Sequence, residues 1–370
     1  MGFSTRFVTI FLAVFGIAAF VVAASLDPAR KADAPASIEA AIEPAAEVVE
    51  TPEERAFEQK LEEIGAGLSG QLGIAVVDVR SGRSYDFNGD DQLPQQSVSK
   101  LWVAMAALGQ VDDGELDLSE PVTIRRADLT LFYQPIREIV RARGSFSSDY
   151  ADLMERAIAR SDNSANDRLL RRVGGAAAVQ EWLDEKGLLG IRFGADERTK
   201  QSAIAGLQWR QTYSYRNLFY EARDRVPDDV RRGAFEGYLA DPIDGASPLA
   251  IARALTLLAR GELLSQSSTE RLRSILATTK SGPRRLKGGL AEGWRIEHKT
   301  GTGQVYGSEQ SGYNDVGVLI SPEGSEYAVA VMIGRTAKPV PARMDMMQAV
   351  TRAVIEFDER RSAPAKLAAS

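Results

Sequence analysis

A chain of 370 residues, 44% hydrophobic and 26% charged, can bury one large core or two small ones, so it reads as a globular protein with appendages. A net charge of −6 without a long basic run excludes nucleic acid as a partner, and the absence of cysteine removes disulfides, thiol nucleophiles, cysteine-bound zinc and a lipidated cysteine anchor together. The single histidine, His298, excludes a histidine-rich metal site; no metal or cofactor is expected, and a serine enzyme here would take its base from lysine or a carboxylate.

Arg6 precedes an uncharged stretch from Phe7 to Ala24 that is long for a signal-peptide core and slightly short for a spanning helix, with Val22-Ala23-Ala24 available for cleavage. Residues 1–25 are therefore an export signal, either a cleaved signal peptide or a retained membrane anchor, and the folded part is exported, periplasmic or anchored to the inner membrane facing the periplasm. Residues 26–50, rich in Ala, Pro and Glu, read as a disordered linker. Order begins at Thr51-Pro52-Glu53-Glu54, a capping box with proline at the first helical position, after which Phe57, Leu61 and Ile64 share one face. Gly73 to Val79 alternates, Ser81-Gly82-Arg83 turns, and Ser84 to Phe87 returns as a second strand.

From Leu93 to Leu108 a polar turn runs into an apolar helix. Helical periodicity continues over Tyr150 to Arg160, Asn163 to Arg172, Ala176 to Lys186, Pro248 to Arg260 and Ser268 to Ala277. Strand patterns return at Trp294 to Thr300, Asn314 to Ile320 and Tyr327 to Ile333, and an amphipathic helix from Ala342 to Glu359 precedes a disordered tail at 362–370. Strands at both chain ends with helices between imply an α/β (α+β) fold. Its antiparallel sheet draws on residues 51–96 and 278–361 and is flanked by the N- and C-terminal helices, with a helical subdomain inserted at 97–277.

Ser97 and Lys100 lie three apart in the first turn of their helix, so the amine can reach the hydroxyl, and the partial positive charge of the helix N-terminus favours the neutral lysine that a base must be. Ser-x-x-Lys alone occurs by chance about once in a chain of this length. Two further motifs narrow the reading: Ser161-Asp162-Asn163 opens a helix, and Lys299-Thr300-Gly301 closes a strand. With these three motifs in this order, the chain resembles the class A β-lactamases within the β-lactamase/transpeptidase-like, penicillin-recognising serine hydrolases, over roughly residues 55 to 361. Gln92-Leu93-Pro94, Asp113-Gly114-Glu115-Leu116-Asp117-Leu118, Asp167-Arg168-Leu169-Leu170 and Gly289-Leu290-Ala291-Glu292-Gly293-Trp294 add to the likeness.

The resemblance implies that Ser97 attacks a carbonyl to form an acyl-enzyme while Lys100 takes or relays its proton. Ser161 would protonate the leaving nitrogen, and Asn163 would hold the acyl amide and Lys100. Lys299 would orient Ser161 and, with Thr300 and Thr302, attract the substrate carboxylate. The backbone N–H groups of Ser97 and Thr302 would form the oxyanion hole, with Gly301 letting the strand edge approach closely. Strand alternation points His298 away from Lys299, into the core.

The likeness breaks at the Ω-shaped loop, where the family carries Arg-aromatic-Glu-Pro-x-x-Asn. If Arg192-Phe193 sets the register, Gly194 stands where the water-activating glutamate belongs and Arg198 where the asparagine belongs, leaving Glu197 or Asp196 to supply the carboxylate from a shifted position. The loop is enlarged to residues 192–244, its insert is rich in aromatic residues, and an Arg192–Asp244 ion pair is expected to clamp its neck. The aromatic residues form either a lid beside the cleft or the insert's own core. Three activities fit: a β-lactam hydrolase, a peptidoglycan D-Ala-D-Ala peptidase or transpeptidase, and a penicillin-binding sensor that acylates without efficient turnover. The expected partner is accordingly a small-molecule β-lactam or a peptidoglycan stem peptide.

Overall fold

A computed structural model describes residues 50–368 apart from residue 216, with side chains described as far as Ser362. The export segment and nearly all of the linker lie outside the described residues. Among the described residues no helix is long and apolar enough to cross a membrane.

The Thr51 hydroxyl accepts the Glu54 N–H while the Glu54 carboxylate accepts the Thr51 N–H, closing the capping box that starts helix Pro52–Ala66. Five strands follow in the main sheet: β1 (Gln71–Asp78), β2 (Ser84–Phe87), β3 (Arg295–Thr302), β4 (Tyr313–Ile320) and β5 (Glu326–Arg335), in the order β2-β1-β5-β4-β3, antiparallel throughout. Both faces are covered, so β1 and β5 are apolar on both sides along most of their length, and β4 is buried throughout. Leu72, Ile74, Val76, Val329, Val331 and Ile333 pack on the terminal helices, where the Phe57 and Phe357 rings stack with centroids 4.5 Å apart. Ala75, Val77, Ala328, Ala330 and Met332 face the helical body. Its centre is helix Lys100–Asp112, whose Trp102, Val103, Met105 and Leu108 are completely buried. Each large apolar side chain so buried contributes about 1.5–3 kcal/mol before entropy is counted.

Three features differ from the expectations. The C-terminal helix runs from Val340 to Ala368 instead of ending near Glu359 before a disordered tail; Arg361 ties it to Asp78 at 2.5 Å, past the point where the sequence pattern ended. A strand pair, Pro121–Ile124 with Phe146–Asp149, and helix Ile136–Arg143 lie inside the helical body. The enlarged loop contains helices Glu197–Ile204, Leu218–Arg223 and Asp228–Ala240. Its rings form two small clusters, Phe219 with Phe132, Trp209 and Tyr213, and Phe235 with Tyr238 and Tyr306.

Candidate functional site

Ser97 lies in the single 3-10 turn Gln96–Ser99 that leads into helix Lys100–Asp112. Gln96 takes the left-handed backbone conformation, φ +56°, a strain of about 1–3 kcal/mol for a non-glycine residue. Four contacts hold it there. Its N–H donates to Asp244 (2.9 Å), its side-chain amide donates to Tyr238 and the Ser311 carbonyl (2.8 Å each), and its side-chain oxygen accepts from Gln201 (2.9 Å). Asn314 on β4 bolts the preceding turn to the sheet by donating to the Pro94 and Gln95 carbonyls. A Cβ at position 301 would clash with that Gln95 carbonyl, so glycine is required for β3 to come this close.

The Lys100 amine donates to Ser97 Oγ at 2.6 Å and to Glu197 Oε1 at 3.2 Å, and has no solvent exposure. Burial lowers its pKa, partly opposed by Glu197, which moves it towards the neutral base. Glu197 opens its loop helix: Asp196 caps the helix, and the Glu197 N–H donates to buried Asp167 (3.0 Å). Burial alone would raise the Glu197 carboxyl, but Lys100 and Lys200 overcome this and bring it to about 2. Burial, with Asp196 and Glu197 nearby, raises Asp167 to about 6. On the facing wall, Lys299 of β3 is fully buried and donates to Ser161 Oγ (2.9 Å) and to the Thr300 carbonyl (2.9 Å). Burial, then the Lys100 charge, pulls its pKa well down. Ser161 is also left-handed, at φ +58°. Ser97, Ser161, Asn163, Glu197, Thr300 and Thr302 all line one cavity of about 970 Å³.

The sequence-based expectations fail in two places, the loop neck and Asn163. The neck of the loop is not clamped by Arg192 and Asp244. Arg192 is half-exposed and reaches Asp241 at 2.5 Å, while buried Asp244 pairs with Lys200 at 2.9 Å and accepts from Tyr238 at 2.8 Å. Being buried, Asp244 needs a cation that is buried with it, and Lys200 on the loop helix provides one. Gly194 packs on Ile243 and lies outside the cavity lining, and of the two carboxylates left to act from a shifted position it is Glu197 that reaches Lys100. The Asn163 amide donates to the Leu131 carbonyl (2.9 Å), not to Lys100. His298 is buried with Nδ1 2.8 Å from Asp315, pointing into the core.

Four participants were not anticipated. Arg285 donates to the carbonyls of Gly301 (2.8 Å) and Asn314 (2.6 Å) and to Thr302 Oγ1 (2.5 Å), and its guanidinium lies 3.7 Å from the Tyr313 ring centre. Lys200, Gln96 and Tyr238 build the network behind Glu197. Only the i, i+3 spacing of Glu197 and Lys200 was available in the sequence as a signal.

A model of the β-lactamase enzyme family matches residues 56–357, and the chain belongs to that family. It is 27% identical over 306 residues to the extended-spectrum β-lactamase PER-1 of Pseudomonas aeruginosa, covering 82% of this chain and 88% of that one. The β-lactamase CTX-M-8 of Citrobacter amalonaticus is 27% identical over 300 residues, covering 81% and 88%. Among solved structures, a β-lactamase from Chitinophaga pinensis matches with a TM-score of 0.67 at 27% identity, covering 81% of this chain and 98% of that one. The extended-spectrum β-lactamase TLA-3 matches with the same TM-score at 20% identity, covering 82% and 98%, a likeness of fold. The chain is a class A-like serine β-lactamase-type hydrolase.

Proposed function

We propose that the chain is an exported β-lactamase that opens β-lactam amides through an acyl-enzyme on Ser97. The observation that carries this is the continuous contact from Ser97 Oγ through the Lys100 amine to the Glu197 carboxylate. Neutral Lys100 takes the Ser97 proton as Oγ bonds to the lactam carbonyl carbon, and the oxyanion is met by the backbone N–H groups of Ser97 and Thr302. The carbon–nitrogen bond then breaks as the Ser161 hydroxyl gives its proton to the departing nitrogen and takes in its place the proton held by Lys100, which is neutral again; Lys299 orients that hydroxyl. Lys299, Thr300, Thr302 and Arg285 receive the substrate carboxylate.

In the second half, Glu197 takes a proton from water, the water oxygen attacks the acyl carbon, and the ester bond to Ser97 breaks with return of the proton to Oγ. An ionised carboxylate beside the nucleophile supports turnover over arrest at the acyl-enzyme. Export rests on the uncharged stretch from Phe7 to Ala24. The test is steady-state hydrolysis of nitrocefin together with mass spectrometry of the Ser97 peptide. Ser97→Ala is expected to abolish covalent labelling by a fluorescent penicillin; labelling retained in that variant sinks the mechanism, and wild-type protein that acylates without turning over sinks the hydrolase reading.

A further inference from the structure

Besides Arg285, four more cations line the cavity, Arg160, Arg223, Arg231 and Lys280, whereas Glu197 is the only carboxylate among the described lining residues. In a chain of net charge −6 this is a local reversal of sign. Two of the four are engaged. Arg223 lies 3.3 Å from Asp224 and over the Tyr220 ring; Arg231 donates to the Val305 carbonyl (3.1 Å) and lies over the Tyr306 ring. Arg160 and Lys280 differ: neither side chain has a carboxylate, carbonyl or ring partner among the described residues.

Their proximity is built into the backbone. The Lys280 N–H donates to the Ala159 carbonyl at 3.0 Å, which sets Lys280 against the segment that continues through Arg160 to Ser161. The next residue, Ser281, shares a 2.6 Å hydroxyl hydrogen bond with Thr300. Two unpaired like charges are thus gathered at the end of the cavity that holds Ser161 and Thr300. No protein side chain neutralises either, so an anion bound at this end of the cavity would meet two free cations. One substrate carboxylate is already provided for by Thr300, Thr302 and Arg285, so the pair is surplus to that need.

We propose that Arg160 and Lys280 form a second anion subsite, which takes a sulfonate or carboxylate carried by the substrate on the leaving-nitrogen side of the scissile amide, beyond the ring carboxylate. The inference rests on the acyl-transfer reading above. It identifies the preferred substrates as dianionic β-lactams, such as cephalosporins with an acidic substituent at C3. Arg160 contributes a planar fork suited to two oxygens of such a group, and Lys280 a point charge.

The test uses two cephalosporins that share an acyl side chain and differ in whether the C3 tetrazole carries a methyl or a sulfomethyl group, cefamandole and cefonicid. The second-order rate of Ser97 acylation by each is measured by competition with a fluorescent penicillin, a readout that needs no turnover. Both compounds carry the ring carboxylate, so recognition of that group cancels in their ratio. Wild type is expected to favour the sulfonate by roughly three- to tenfold, less as salt is raised. The ratio should fall to about one in the Arg160→Gln/Lys280→Gln double variant and invert in Lys280→Glu; both positions are exposed, so the fold is retained. A wild-type ratio near one, or a ratio that survives the double substitution, overturns the subsite. If no β-lactam labels Ser97 at all, the acyl-transfer reading fails first and takes the subsite with it.

Discussion

The β3 wall of the cleft and the 192–244 wall both bring charged side chains towards Ser97, but on different kinds of support. Lys299, Thr300 and Gly301 stand opposite Val316, Asp315 and Asn314 in a continuous antiparallel ladder, so main-chain hydrogen bonds set their positions whatever the side chains do. The loop wall has no such ladder beyond the short pairing of Leu93–Pro94 with Gly245–Ala246. Glu197 is held instead by buried side chains: Lys200 between it and Asp244, Gln201 on its other oxygen, and Asp167 under its N–H. The strand wall should therefore survive loss of a side chain that the loop wall should not.

The largest effect is expected on the loop wall itself. In Glu197→Gln, deacylation should fall by about 10²- to 10⁴-fold while acylation persists, so that acyl-enzyme accumulates to full burst amplitude. Because the Glu197 carboxyl is brought from 4.5 to about 2, it is ionised at every working pH. Its ionisation contributes stability in full above 4.5, and this is lost as pH falls through 2. Deacylation should accordingly show no acid limb from Glu197 between about pH 8 and pH 4; a limb near pH 5 that vanishes in Glu197→Gln would contradict the assignment.

Next comes the anchor. Lys200→Met leaves Asp244 buried without its cation, a loss of about 3–5 kcal/mol for a buried pair broken on one side. Hydrogen exchange and limited proteolysis should then find 192–244 opened, and deacylation slowed more than acylation, with Lys200→Arg restoring part of both. Arg192→Ala, which removes the exposed pair with Asp241, should cost under about 1 kcal/mol and leave exchange unchanged; the reverse ranking would restore the clamp first expected from the sequence.

On the strand wall, Lys299→Ala should cost about 1.5–3 kcal/mol in kcat/KM on substrates bearing the ring carboxylate, with little change in thermal midpoint. An equal loss on a carboxylate-free ester would refute its part in recognising that carboxylate.

The contrast also explains what could be read in advance. The ladder elements obey local rules: the Thr51 capping box, the β-branched run of β1 and the motif Lys299-Thr300-Gly301 each announce themselves within a few residues. The loop wall offers little beyond the Asp196 cap and the i, i+3 spacing of Glu197 and Lys200. That Lys200 meets Asp244, or that Arg285 braces Gly301 and Thr302, depends on where buried charges find counter-charges far along the chain, and no periodicity carries that information. The Arg192-Phe193 register left Glu197 and Asp196 undivided for the same reason, and it is the helix cap at Asp196 that aims Glu197.

The strand order carries a further consequence, in time. β1, made early, pairs on one side with β2 and on the other with β5, made near the end, so that Gln71 finds its place opposite Arg335. The sheet that seats Lys299 cannot close until β5 has left the ribosome, and such non-local pairing is slow compared with helix formation. Until then the nascent chain stays without its central sheet. A polypeptide in that condition is one that an export channel can still thread.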